Sequence, residues 1–490
     1  MKGINMRKYL FILLIILHCH YAFATTYYVR TDGHDSASGL NDTNDPTTGA
    51  LLTIGACATS HATSPGDICN VHTGSYGSFT VANSGTLGNM ITIQAYGDDI
   101  VSVTRIKISG PSYSDANYVK VSGFTITGSS TWGTPGIYVL GNNCIISNNN
   151  LTGSGVVPGI TNYAIELHGD NNIIDSNIID GQSAGIASFF IVFSVNGTGN
   201  IFENNVVKNL FNQERIWDAG GDDSSHMSSD NTIIRGNEAF NNTWNGSESR
   251  HPDIFQIVNH TTNTANNWLI ENNYFHDLDA QIGINEATIR SQNWIFRNNV
   301  FANITQRAML SSFGTVWYNN TFFNVVSADQ NVLDDNGQAG CEYKNNIIIG
   351  GSNKTNFGLF NLRADRPIPT ISNNYYGTVN GGVRSQVLIN SYGDTAYTNG
   401  GDPKFVAAHT NCVANFCDFH IQEYSPLIDK GACLSASWPN ATDKEGSPRP
   451  QGSAWSIGAY EFRNTLRGVY NTKGISGYYN ANGLVGTVLN

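Results

Sequence analysis

Between Trp217 and Gln256 the chain gathers side chains suited to proton and cation chemistry: Asp218, Asp222, Asp223 and His226, then Arg250, His251, Asp253 and Gln256. Grouped Asp oxygens can hold a hard cation such as Ca2+. A histidine can take a proton near neutral pH, and an arginine fork can neutralise a carboxylate. Two carboxylates held apart can act as the acid and base of glycoside hydrolysis, which makes Asp222, Asp223 and Asp253 a second candidate set. Trp217 and Trp244 offer flat faces on which a sugar ring can stack. Plainer roles compete: Asp222-Asp223 as turn formers, and the tryptophans as cover for the apolar side of their own loop.

Something regular must position this stretch. Nine times an Asn closes a short apolar segment: Asn149, Asn177, Asn205, Asn237, Asn273, Asn299, Asn320, Asn346 and Asn374. The copies recur about every 28 residues, and the two longest intervals, 32 and 36, flank the polar stretch. A period in the twenties marks a solenoid whose coils cannot bury their apolar faces alone. Each coil shows a strand ending at the Asn, one before it (Ile137-Tyr138-Val139, Ala164-Ile165-Glu166-Leu167-His168, Asp253-Ile254-Phe255-Gln256-Ile257) and a short one after it. Alternation over four or five residues signals strands. The expected fold is all-β, a single-stranded parallel β-helix of about ten coils. The repeated Asn is read as structural: it turns the chain in the left-handed region and bonds amide to amide between coils. Trp268 and Trp294, each five residues before that Asn, are expected to stack in the core.

Composition narrows the partners. The chain is 40% hydrophobic and 13% charged, and the regular apolar segments argue against disorder. Residues 1–24 read as a secretory signal: Lys2, Arg7 and Lys8, the apolar run Tyr9–Leu17, then Ala22-Phe23-Ala24. That run is too short to span a bilayer and no later one is longer, so a secreted or cell-surface location, periplasm included, and no membrane span are expected. Loss of three basic residues and no acid with the signal takes the net charge from −12 to −15. This disfavours nucleic acid but leaves an acidic polysaccharide open, since a local basic patch or a bound cation can reverse the field. A monomer is expected. Cys57 and Cys69 near one end, and Cys412, Cys417 and Cys433 near the other, are candidates for disulfides, whereas Cys144 and Cys341 read as buried small hydrophobes.

Residues 25–401 are assigned to the β-helix. Residues 51–62 are expected to form a short helix over its N-terminal opening, and residues 402–462 an irregular C-terminal cap. Residues 463–490 fit no coil.

Three stretches resemble secreted right-handed β-helix proteins of the pectate-lyase-like superfamily. They are Tyr27-Tyr28-Val29 with Gly33-His34-Asp35 and Pro65-Gly66-Asp67; Ser84-Gly85-Thr86 with Ile91–Tyr96; and Ser425-Pro426-Leu427-Ile428-Asp429 with Arg449-Pro450 and Ile457–Glu461. The Asp222-Asp223 pair, with Asp218 nearby, resembles the calcium-binding segment of family-nine polysaccharide lyases. Phe255-Gln256-Ile257 resembles that family's strand carrying the basic Lys, except that Gln256 stands where the Lys is expected. The resemblance implies β-elimination of a uronate-containing polysaccharide. In this reading Asp218, Asp222 and Asp223 hold Ca2+, His251 replaces the missing base, Asp253 orients it or binds a cation, and Arg250 or Arg290 pairs with the substrate carboxylate. Gln256, Trp217, Trp244, Arg290 and Glu286 contact sugar. A non-catalytic carbohydrate-binding or adhesive protein and a glycoside hydrolase are the alternatives.

Overall fold

The computed structural model describes residues 24–110, 116–127, 135–152, 163–181, 191–211, 215–219, 228–244, 252–257, 264–285, 292–305, 308–310, 313–325, 333–335, 339–351, 360–362, 367, 369–379, 393–394, 396–463, 475–480 and 483–488. His226, Arg250, His251, Asp222, Asp223, Arg290 and Glu286 lie outside them, as does nearly all of the signal segment.

Each coil contributes strands to three sheets in turn. Around Asn149 these are Ile137–Val139 in the second sheet, Ile145–Ser147 in the first and Asn150–Thr152 in the third. Every pairing between coils is parallel, as in Ile145 with Ile173 and Leu151 with Ile179. The first and third sheets each hold thirteen strands; the second runs continuously through eight, and three later strands form a separate sheet. The parallel β-helix is therefore as expected, while the figure of about ten coils is off.

In the three-residue strands of the first sheet the middle residue points inward, so one coil stacks directly on the next. In the first sheet this gives Ile146, Ile174, Phe202, Ile234, Ile270, Phe296, Trp317, Tyr343 and Ile371, all buried. A buried Phe or Ile in such a row stabilises the fold by about 1.5–3 kcal/mol. The Phe296 and Trp317 rings stack at 3.8 Å, and the Trp268 and Trp294 rings at 4.6 Å as anticipated.

The nine repeated asparagines form one buried ladder. The Asn177 side-chain Oδ1 accepts from the backbone N and the Nδ2 of Asn149, both at 3.0 Å, and the Asn177 Nδ2 donates to the Ile146 carbonyl at 2.8 Å. The pattern repeats through Asn205, Asn237, Asn273, Asn299, Asn320 and Asn346 to Asn374, which donates to Asp394. One expectation is corrected: the ladder Asn is not the left-handed residue. The residue just before it is, namely Asn148, Ser176, Asn204, Gly236, Asn272, Asn298, Asn319, Asn345 and Asn373, at φ of 55–64°. The ladder side chain replaces the backbone partners that the corner removes, and its neighbour makes the bend.

Residues Ile54–Ala56 and Cys57–His61 form the short N-terminal helical segment. It buries Ile54, Cys57 and Ala58 and is tied down by the Cys57–Cys69 disulfide. Thr53 caps it, and Asp35 accepts from the Thr53 hydroxyl. Residues 402–462 are seated along the rod, reaching from Asn272 to Asn373. Val300, Ala302, Phe323, Ile347 and Ile349 of the third sheet pack against Phe419, Ile421, Leu427 and Ile457. Side-chain amides of Asn298, Asn319, Asn345 and Asn373 donate to carbonyls of this segment. Arg449 and Glu461, both buried, pair at 2.8 Å within it. Cys412 bonds to Cys417; Cys144 and Cys341 are buried small side chains, as expected.

A second clasp is ionisable. His276 Nδ1 lies 2.8 Å from Asp277 and Nε2 3.1 Å from Glu238, while Asp277 accepts from the backbone N of Cys412 and Val413. Burial lowers the proton affinity of His276, but the hydrogen bonds to Asp277 and Glu238 outweigh it, and the net shift is upward.

Asn205→Ala removes the side-chain oxygen that accepts from Asn177 N and Nδ2 and the amide that donates to the Ile174 carbonyl, and should cost about 3 kcal/mol or more, read as a lower urea midpoint. The raised value of His276 means that its proton stabilises the fold fully below about pH 6.5 and less as pH rises through the folded-state value. The thermal-midpoint advantage of wild type over His276→Gln should therefore shrink as pH rises above about 6.5.

Candidate functional site

Along each strand of the second sheet, successive residues face alternately inward and outward. The inward rows include Ile165, Phe193, Trp217 and Phe255. The outward row, in register coil by coil, is Thr80, Lys107, Tyr138, Glu166, Ser194, Asp218 and Gln256. Successive members sit about 4.8 Å apart along the rod. The scaffold thus lays polar side chains in a line at roughly the repeat of an extended polymer.

Two constellations occupy this line. In the first, His168 Nε2 lies 2.7 Å from Glu166 Oε1. With Glu166 ionised, Nε2 carries the proton and donates, leaving Nδ1 as acceptor. The His168 ring meets Tyr138 edge-on at 5.3 Å, and Arg105 and Lys107 each approach the Tyr138 ring to 5.9 Å. A base, a hydroxyl and two cations therefore lie within three adjacent coils. In the second, Arg215 Nη1 lies 3.3 Å from Asp218 Oδ2, and Arg215 Nε donates to Gln256 Oε1. Arg215, Asp218 and Gln256 are buried, and Arg215 is in register with Asp253, also buried. A lysine in place of Gln256 would set a second cation against Arg215, whereas the amide oxygen accepts from it. That accounts physically for the missing base on this strand.

Several expectations change. Trp217 is fully buried and stacks between Phe193 and Phe255 at 5.3 and 5.4 Å, so it packs the interior and offers no face to a sugar. Trp244 follows a strand of the third sheet, where its backbone N donates to Asp279; it does not join the outward row. Asp218, Asp253 and Gln256 are brought together around Arg215. Glu166 and His168 are the residues that the sequence singles out only as part of a coil strand. The signal was present, since Tyr138, Glu166 and Ser194 are spaced at 28, the period of the repeat itself.

Calcium takes about six to eight oxygen ligands. Among the described residues here only Asp218 and Asp253 offer carboxylates, and Arg215 already brings a positive charge to Asp218. These residues do not make a calcium shell. Elsewhere, His276, Asp277 and Cys412 hold potential ligand atoms within 4.8 Å of one another. The Cys412 sulfur is in a disulfide and Asp277 is taken up by backbone donors, which makes this a structural clasp.

No protein-family model matches the chain, and no curated protein matches it. Among solved structures, XylC in complex with xylose has a TM-score of 0.50 at 12% identity, covering 78% of this chain and 87% of that one. Pectate lyase Pel9A gives 0.40 at 16%, covering 90% and 97%. A rhamnogalacturonan lyase gives 0.46 at 13%, covering 78% and 91%. The chain is a parallel β-helix. At these identities the likeness is one of fold, and chemistry has to be argued from the side chains on the β-helix itself.

Arg215→Ala strips the guanidinium from a buried carboxylate and amide, so the β-helix should lose about 3–5 kcal/mol, seen as a drop in thermal midpoint. Gln256→Lys should be destabilising for the same electrostatic reason, with Gln256→Met milder.

Proposed function

We propose that this protein is exported, binds a polysaccharide along the outward face of the second sheet, and cleaves a uronate-containing chain by β-elimination. The observation that carries the reading is the Glu166–His168 pair set in line with Tyr138, Arg105 and Lys107. The proton next to a uronate carboxylate is weakly acidic, so the carboxylate must be neutralised while a base removes the proton. Arg105 and Lys107 supply the positive charge. His168, oriented by Glu166, is the base through Nδ1. Tyr138, whose ring meets that of His168 and lies under Arg105 and Lys107, returns a proton from its hydroxyl to the departing glycosidic oxygen, so the C–O bond breaks as the C–C double bond forms. No step is routed through calcium.

One observation favours a hydrolase as the second reading. Glu166 and Asp218 are two coils apart on the same face, about 10 Å between backbones. That is close to the carboxyl separation of about 6.5–9.5 Å found in inverting hydrolases.

The purified protein should raise absorbance near ~235 nm on at least one uronate polymer, the signature of an unsaturated product, and His168→Ala should lower kcat at least ~100-fold. Glu166→Gln should lower kcat and move its pH profile, since Glu166 acts through the ring. New reducing ends without absorbance would mean hydrolysis, and binding without either would mean an adhesive role.

A further inference from the structure

The β-helix carries a cavity away from the Glu166–His168 pair. It lies at the N-terminal corner, where the turn from the third sheet to the second meets the helical cap. Its volume is about 500 Å³, within the range of small-ligand sites. The walls come from Thr31, from Leu52 to Gly55 of the cap, and from Ser75 to Phe79.

Three features define what it would accept. First, none of the ten lining residues carries a charged side chain. Tyr76, the one ionisable group, is pushed up to about 12 by burial and stays a neutral phenol. A cavity without a cation gives no return for desolvating a carboxylate or phosphate, so an anionic ligand is disfavoured. Second, polar and apolar groups alternate around it. Thr31, Ser75 and Ser78 present hydroxyls, while Leu52, 41% exposed, and the Tyr76 ring present apolar surface. A pyranose has the same mixture, with hydroxyls on its rim and C–H groups on its faces. Third, the floor is held open by glycine: a Cβ built on Gly55 or Gly77 would meet nothing within 4 Å. The walls are also firmly set. Thr53 is fixed by Asp35 and the helix cap, Tyr76 donates from its hydroxyl to the His72 carbonyl, and Cys57–Cys69 anchors the cap.

We infer that this corner is a binding site for an uncharged sugar residue of a saccharide, separate from the charged row on the second sheet. Its position suits a polymer lying along the rod. Phe79 begins the strand whose Thr80 starts the outward row, three coils from Glu166, or about 14 Å. The site would hold a neutral unit of the same chain, or a separate neutral glycan, without taking part in bond cleavage. The inference goes beyond the lyase reading and does not depend on it.

The test is calorimetric titration of the full protein with neutral tetrasaccharides of glucose, xylose, galactose and mannose, and with tetragalacturonate, in wild type and two variants. Gly77→Trp fills the cavity from a position with free space, and Leu52→Asp places a charge on its apolar wall. At least one neutral tetrasaccharide should bind to wild type, and each variant should weaken that binding at least tenfold. The rate on any cleaved uronate tetramer should stay unchanged. The inference is overturned if no neutral tetrasaccharide binds at millimolar concentration, if binding survives Gly77→Trp, or if the variants weaken only tetragalacturonate. Loss of cleavage in His168→Ala with neutral-sugar binding intact would separate the two sites.

Discussion

A coil of parallel β-helix cannot satisfy its own backbone. Each N–H and carbonyl must find its partner one turn away, and at a corner the strand hydrogen bonds stop. The buried Asn ladder answers that constraint. One side-chain oxygen accepts two donors from the coil on one side, and one side-chain amide donates back into the stack. The contacts stay near 3.0 Å although the interval between successive ladder residues runs from 21 to 36. Length is absorbed elsewhere, so the coil can lengthen beside the second sheet without disturbing the register that lines up Lys107, Tyr138, Glu166, Ser194, Asp218 and Gln256.

That register gives an acidic protein a mixed face. The net charge is −12, yet Arg105 and Lys107 converge on Tyr138, and Arg215 sits at Asp218 and Gln256. Charge at a site is set by which residue type falls at one position of the period, so bulk charge constrains the class of partner only loosely. The same logic separates the second-sheet face from the N-terminal cavity. The face carries cations, carboxylates and hydroxyls, whereas the cavity is lined by hydroxyls, rings and aliphatic groups without a charge.

The sequence made the coils legible because burial imposes a period on both the apolar residues and the ladder Asn. It did not distinguish the two neighbours at the corner. Doublets such as Asn148-Asn149 and Asn204-Asn205 hold both roles, one bending the backbone and one bonding between coils, and either residue type suits either task. Trp217 was misread for a related reason. Polar neighbours on its C-terminal side suggest a loop, but alignment with Phe193 and Phe255 places it in the interior row. Arg215 was invisible because its importance comes from residues three and forty-one positions later, which only the stacking brings together. The period itself, applied to Glu166, would have revealed the outward row.

Residues 402–462 brace the third sheet over the later coils, covering Val300, Ala302, Phe323, Ile347 and Ile349. In the sequence they follow every coil they cover. A chain emerging from its N-terminus must therefore carry an uncovered oily stripe until its final segment arrives. Biogenesis of this rod is timed by its end: the stripe must be shielded by something else, or kept extended, during the interval between synthesis of Val300 and synthesis of Ile457.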